Sequence, residues 1–222
     1  MKTVMGVDVL TTIDELADPA RAAVLVVDIQ NAWFTAVSGF EGRGSDSIAD
    51  IENMRPIIPR VKHLLEVARD RGILVAYAEF IHRDRRGVTL MDGPNHYCIR
   101  EVGEHPEAIE GTWKAQTVDE LKPQDGDVVI HKSRGSAFHQ TRLDDLYRAR
   151  AISTVIITGV LSAGCVLFTA AEAMHCGYYP LIVRDCVASY TIESHEQALA
   201  WMETQYPVFD SAEVLAVWEN IT

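Results

Sequence analysis

Short apolar runs alternate with stretches of helical periodicity along most of the chain. AAVLVVD, residues 22–28, is apolar up to its final aspartate, the pattern of a strand buried on both faces. ILVAYAEF (73–80), DVVIHK (127–132), TVIITGV (154–160) and YPLIVRDCVAS (179–189) predict four more strands, and YPVFDS (206–211) a shorter last one. Between them a helix is predicted at about 54–71, where Ile58, Val61, Leu64, Leu65 and Ala68 recur at helical spacing before Gly72. Helices are also predicted at 143–150 with Thr141 as N-cap, at 165–177 ending on Gly177, and at 195–205 with Ser194 as cap. VDEL (118–121) predicts a single helical turn.

Strands alternating with helices imply right-handed βαβ units and a three-layer α/β/α fold around a mostly parallel, roughly six-stranded, Rossmann-like sheet. Sites in such sheets form at the carboxyl ends of strands. Those ends here are Asp28, Glu79, Lys132, the 159–165 turn and Asp185. Segments 36–50 and 82–117 lack periodicity, and loops this long serve as lids, binding loops or subunit contacts.

Composition narrows the function. The 222 residues are 48% hydrophobic, enough for one domain over 1–222 with an N-terminal extension at about 1–20. Twenty Lys and Arg against 32 Asp and Glu give a net charge of −12, which disfavours nucleic acid and anionic lipid as partners. No apolar run approaches the ~20 residues of a membrane span, and the early acids of the N-terminus do not suit a signal peptide, so a cytoplasmic location is expected. The four cysteines form no CxxC pair, and neither a phosphate loop, a GxGxxG turn nor a GxSxG elbow is present. The histidines show no HxH, HxxxH or HExxH spacing; Glu79 and His82 alone offer an oxygen and a nitrogen. No metal and no cofactor are expected, and a small-molecule partner is.

Three residues carry candidate chemistry. Asp28 ends an apolar run, where a carboxylate needs hydrogen bonds or a cation; it reads as a loop cap or as a functional acid. Lys132 ends a strand, where a snorkelling lysine or a buried, paired one would fit. Cys165 opens a predicted helix after Gly164, where the helix dipole favours thiolate, although most free cysteines are small buried hydrophobes. Together they supply nucleophile, base and orienting cation, each on a strand expected to be central. Cys176 at a helix C-terminus, Cys186 in a strand and Cys98 in a loop lack such surroundings, and His195 is expected in the first turn of its helix, bound to a local group.

These words resemble the isochorismatase-like cysteine hydrolases, which include nicotinamidases and N-carbamoylsarcosine, ureidoacrylate and biuret amidohydrolases. AVLVVDIQNAWF looks like the family's first strand with its DxQN box. GDVVIHKSRGSAFHQTRLDDLYRARAISTVIITGVLSAGCV resembles its lysine strand, SAFxxT segment and nucleophile turn, and GYYPLIVRDCVASYTIESHEQAL its next strand and helix. The resemblance implies Cys165 as nucleophile, Asp28 as general base and Lys132 as the group orienting Asp28. It also implies a cis peptide bond between Val160 and Leu161, an oxyanion hole of the Leu161 and Cys165 N–H groups, and a homodimer or homotetramer. The implied reaction is hydrolysis of a small amide or ureido compound through a thioester. A nicotinamidase-like cyclic-amide hydrolase and a non-catalytic binding or assembly member are the alternatives; the metal-binding Asp-x-His box of nicotinamidases is replaced here by Glu79-Phe-Ile-His82. Trp33, Phe34, Glu79, His82, Trp113, Phe138 and His139 are the candidates for substrate contact.

Overall fold

The computed structural model describes residues 1–34, 48–81 and 108–220. It opens with an antiparallel pair, β1 (Lys2–Val4) and β2 (Val7–Val9), and a short helix α1 (Ile13–Leu16) closed by a Thr12–Glu15 capping box. The central sheet then forms from β3 (Ala22–Val27), which is followed by a one-turn helix α2 (Asn31–Phe34), and from β4 (Leu74–Phe80), β5 (Val128–Lys132), β6 (Thr154–Val160), β7 (Tyr179–Ala188) and β8 (Val208–Phe209). All neighbours pair in parallel, in the order β5-β4-β3-β6-β7-β8.

Alternation along β3 explains the layers. Val24 and Val26 pack in one cluster with Ile57, Ile58, Val61, Leu64 and Leu65 of α4 (Ile57–Asp70) and with Trp218. Ala23, Leu25 and Val27 pack in the other, with Leu143 and Tyr147 of α5 (Leu143–Ala149), Ala170 and Ala173 of α6 (Leu167–His175), and Ala198, Leu199 and Met202 of α7 (Ile192–Met202). Each successive side chain of the strand meets a different helical layer, so the run is apolar throughout.

Several boundaries differ from expectation. The helix predicted at about 54–71 is α4, which begins at Ile57 after Pro56; a separate helix, α3 (Ile48–Met54), precedes it and was not expected. Helix α7 begins at Ile192 because Thr191, rather than Ser194, accepts the capping N–H, which Ser194 donates at 3.1 Å. The N-cap of α5 is Arg142 rather than Thr141; Thr141 stands one residue earlier and accepts from the Leu143 N–H at 3.2 Å. A C-terminal helix, α8 (Ser211–Glu219), was not anticipated; its first N–H and hydroxyl donate to Asp185, each at 2.7 Å. Asp185 therefore lies within β7 and accepts from the first residue of α8, whose cap is Asp210, instead of ending a strand.

The sheet grows outward from β3 through β4 to β5, then returns to β6 beside β3. That reversal is a switch point, and the crevice beyond it is where α/β sheets hold ligands. Here Val27 pairs with Gly159. Gly159 has φ +113°, and a Cβ on it would lie 2.0 Å from the Val27 carbonyl oxygen. Gly159→Ala is expected to lose at least ~3 kcal/mol in chemical denaturation, since both backbone strain and a backbone clash must be relieved. A loss below about 1 kcal/mol would mean the strands can separate there.

Candidate active site

Asp28 follows β3 directly, in the left-handed region at φ +52°, which aspartate tolerates better than branched residues. Its N–H donates to the Ala78 carbonyl at 2.9 Å, and its carbonyl accepts from the Gln30 N–H at 2.9 Å. Gln30, fully buried, holds this turn: its amide donates to the Phe80 and Ala115 carbonyls at 2.9 and 2.6 Å and accepts from the Phe80 N–H at 2.8 Å. Asn31 adds a side-chain bond to the Trp113 carbonyl at 3.0 Å. The polar letters of DIQN are thus the stitches joining β3, β4 and the segment after residue 108.

Lys132 is 2% exposed. Its ammonium donates to Asp28 Oδ2 at 2.7 Å and to the Arg134 and Gly135 carbonyls at 3.0 and 3.1 Å, and it sits 5.0 Å from the Phe80 ring centre. All three donors of the ammonium are engaged. Its strand, β5, lies at the sheet edge rather than centrally as expected. The lysine is buried all the same because its side chain reaches past β4 to Asp28.

The third element follows β6. The Val160–Leu161 peptide bond is cis. Ser162–Val166 then form one wide turn, with Gly164 outside helical angles (φ −142°, ψ −107°), before α6 begins at Leu167. The Leu161 carbonyl accepts from the N–H groups of Gly164 and Val166 at 2.9 and 3.1 Å, which closes the turn. Cys165 lies inside this turn, not at the start of a regular helix.

Asp28, Leu161 and Cys165 line one cavity of about 120 Å³, together with Trp33, Phe80, Val160 and Tyr190. Asp28 Oδ1 is buried and has no hydrogen-bond partner among the described residues, so one carboxylate oxygen is held by Lys132 and the other is open to take a proton. Burial raises the Asp28 carboxyl above its ordinary 3.8, outweighing the Lys132 charge and the hydrogen bonds to it. Burial alone would lower Lys132, but Asp28 and Cys165 together, through charge and hydrogen bonding, outweigh it and raise the lysine. The Cys165 thiol is pushed up to about 12, first by burial and then by the Asp28 charge, with Lys132 opposing. Burial and the neighbouring carboxylate thus oppose the thiolate that a helix N-terminus was expected to favour.

One consequence is measurable. Asp28→Asn removes the charge that raises the thiol and leaves Lys132 in place, so Cys165 should titrate lower than in the unaltered chain. The pH dependence of Cys165 alkylation by iodoacetamide should shift to lower pH, while turnover falls roughly 10²- to 10⁴-fold. Turnover that survives this substitution would remove Asp28 as the base.

The remaining candidates separate. Trp33 lines the cavity and meets Phe80 edge to face at 6.3 Å. Phe34 is buried in the core, and Phe138 is stacked on Tyr178 at 5.6 Å in the opposite helical layer. Trp113, 52% exposed, and His139, 3.9 Å from Glu172, do not line this cavity. Glu79 accepts from the Thr117 hydroxyl at 2.7 Å and stands 3.5 Å from His131. His82 and Cys98 lie outside the described residues, as do 35–47 and the rest of 82–107. Among the described residues no three His, Cys, Asp or Glu side chains are grouped to hold a metal ion. Cys186 is fully buried and Cys176 partly so, and burial raises both thiols. Phe80 and Tyr190 were missed in the sequence; each lies at or just beyond a strand's carboxyl end, which was the available signal.

The parallel sheet, helices on both faces and a cavity at the switch point define a three-layer α/β/α fold with its candidate site at the carboxyl ends of the strands. The family model described as "Isochorismatase domain" matches residues 22–213, and the chain belongs to that family. It is 31% identical over 199 residues to ureidoacrylate amidohydrolase RutB of Methylobacterium radiotolerans, covering 84% of this chain and 75% of that one. It is 33% identical over 169 residues to an N-carbamoylsarcosine amidase of Arthrobacter sp, covering 75% and 59%. Among solved structures, a cysteine hydrolase from Pseudomonas syringae pv. phaseolicola 1448A superposes with a TM-score of 0.76 at 25% identity, over 91% of this chain and 94% of that one.

Proposed function

We propose that this protein is a cysteine-dependent amidohydrolase that cleaves a C–N bond, other than a peptide bond, in a small amide or ureido compound and releases ammonia or an amine. The observation that carries the reading is the single cavity lined by Cys165 and by Asp28, whose other oxygen is paired with buried Lys132. The amidohydrolase relatives support the same bond type.

The steps follow from the groups present. Asp28 takes the Cys165 proton as sulfur attacks the substrate carbonyl, because a thiol this weak in acidity does not ionise unaided near neutral pH. The N–H groups of Leu161 and Cys165 receive the oxyanion. Asp28 returns its proton to the leaving nitrogen, the C–N bond breaks, and a thioester remains. Asp28 then takes a proton from water as the water oxygen attacks the thioester, and the sulfur leaves and is reprotonated. Lys132, with every donor engaged, orients Asp28 and transfers no proton.

The pH profile follows from the directions. Asp28 works ionised, so kcat/KM should rise with pH through an acid limb lying above 3.8. Because the thiol is pushed up to about 12, no second rise should appear near 9, its ordinary value. A rise centred there would indicate free thiolate as the reacting species.

The substrate class is tested by an ammonia-release screen across linear amides, ureides, carbamates and ring-borne carboxamides such as nicotinamide. Turnover of linear compounds supports the proposal, and exclusive turnover of nicotinamide moves the protein to the nicotinamidase-like reading. A cytoplasmic homodimer or homotetramer completes the proposal. Phe168, Ile192 and Trp201 are exposed large apolar residues that a second copy could cover, and no described helix is long and apolar enough to cross a membrane. Light scattering that returned a monomer would reject the assembly.

A further inference from the structure

We propose that His195 is a positioning residue for the nucleophile turn, acting as a neutral hydrogen-bond acceptor toward Ser162. This rests on Cys165 being the nucleophile. Ser162 opens the turn that carries Cys165 and is fully buried. Its Oγ lies 3.0 Å from His195 Nδ1, on α7, and 2.9 Å from Ser189 Oγ, just beyond β7. Ser189 Oγ also accepts from the Ala163 N–H at 3.1 Å. Two consecutive residues of the turn are thus held from behind by two other elements. With its N–H engaged by Ser189, Ala163 has no donor to offer an oxyanion.

Counting hydrogens fixes the direction of the chain. If the Ser189 hydroxyl donates to Ser162 and the Ser162 hydroxyl donates to Nδ1, every buried O–H has an acceptor. The reverse direction has Nδ1–H donate to Ser162 and Ser162 to Ser189, and leaves the Ser189 hydrogen with no acceptor among the described residues. A buried O–H without an acceptor is costly, so the first arrangement wins. His195 is then the tautomer with its proton on Nε2, and its Nδ1 is the end point that aligns both hydroxyls.

The surroundings agree. His195 and Ser189 border a recess with Arg60, Arg184 and Asp185. Arg60 stands 3.8 Å from Asp185, and Arg184 pairs with Glu203 and, at 3.3 Å, with Asp210, so their charges are largely matched locally. On its own helix the nearby acid is Glu196, which favours the charged ring; burial outweighs it and lowers His195 below its ordinary 6.5. The neutral form is the one the chain of hydroxyls requires.

The experiment compares His195→Leu with His195→Asn. Leucine fills the space without an acceptor, whereas the asparagine amide oxygen can accept near the position of Nδ1. In the leucine variant kcat should fall about 10²-fold with KM nearly unchanged, the scale of a displaced reacting group. Alkylation of Cys165 by iodoacetamide should slow in parallel. The asparagine variant should recover most of both rates. Nitrogen NMR of the histidine-labelled, unaltered protein should show His195 protonated on Nε2 and bare on Nδ1 at neutral pH. An unchanged kcat in the leucine variant, an asparagine variant as impaired as leucine, or a proton found on Nδ1 would each overturn the proposal. If leucine prevents folding, the asparagine variant and the NMR spectrum still decide. Cys165→Ala separates the layers: activity in that variant sinks the nucleophile, whereas its inactivity beside a fully active His195→Leu sinks only the positioning role.

Discussion

Cys165→Ala is expected to reduce ammonia release by at least about ten-thousandfold, and Cys165→Ser to do no better. The alanine variant loses the sulfur and with it the thioester route. The serine hydroxyl is far less acidic than a thiol, and the cavity that pushes the thiol up to about 12 would raise a hydroxyl further. Asp28 could not remove that proton at useful rates. Neither change should disturb the fold, because Cys165 is only partly buried and the turn is closed by backbone bonds from Gly164 and Val166 to Leu161. Melting temperatures close to the parent, alongside lost turnover, are the expected pair of results. Mass spectrometry of the parent quenched with substrate should find the acyl group on the peptide containing residue 165. Turnover in either variant, or acylation at another residue, would end the covalent reading.

Lys132→Met is expected to be the most destabilising of these substitutions. It keeps the length of the stem and deletes the charge. Asp28 is then a buried carboxylate without a counterion, and the Arg134 and Gly135 carbonyls each lose a donor. Breaking a buried pair in this way costs about 3–5 kcal/mol. The sign of its pH dependence is fixed. Without the lysine, Asp28 rises further above its already raised position, and a group raised on folding contributes stability below its unfolded value and loses it as pH climbs. The variant should therefore be closer to the parent in denaturation at pH 5 than at pH 8. Adding Asp28→Asn should restore part of the loss, since the unpaired charge goes with it. A single variant equally destabilised at both pH values, with no recovery in the double, would show that Lys132 matters through packing alone. In either variant turnover should be lost, because the base is neutral or absent.

The legibility of the fold varied with the kind of information each residue carried. Strand β6 could be placed at 154–160 because every side chain along it is buried, so its limits are limits of hydrophobicity. The start of α7 could not, because Thr191 and Ser194 are both competent caps and only the path of the chain selects one. Strand order was hidden too. Nothing local to DVVIHK says that it lies at an edge, since parallel neighbours are joined by crossovers whose destination is set by packing. In the site, Asp28, Lys132 and Cys165 stood out because each is a reactive group at the end of an apolar run. The protonation state of Cys165 did not, because it depends on burial and on a carboxylate distant in sequence. Phe138 and Phe34 looked like pocket walls because aromatic residues near strand ends serve either purpose, and which layer they join is a matter of where the helices land.

The partnership of β3 with β6 has a consequence for the life of the chain during synthesis. Strand β3 leads into Asp28 and emerges early, yet both of its flanking partners come later, and the pairing of Val27 with Gly159 comes after Lys132. Until β6 has been made, one edge of a wholly apolar strand has no neighbour, and no shortened chain can possess the cavity. Such long-range pairing is slow to form. A nascent polypeptide stalled before residue 154 should lack the cavity, whose walls at Val160, Leu161, Cys165 and Tyr190 are made only later.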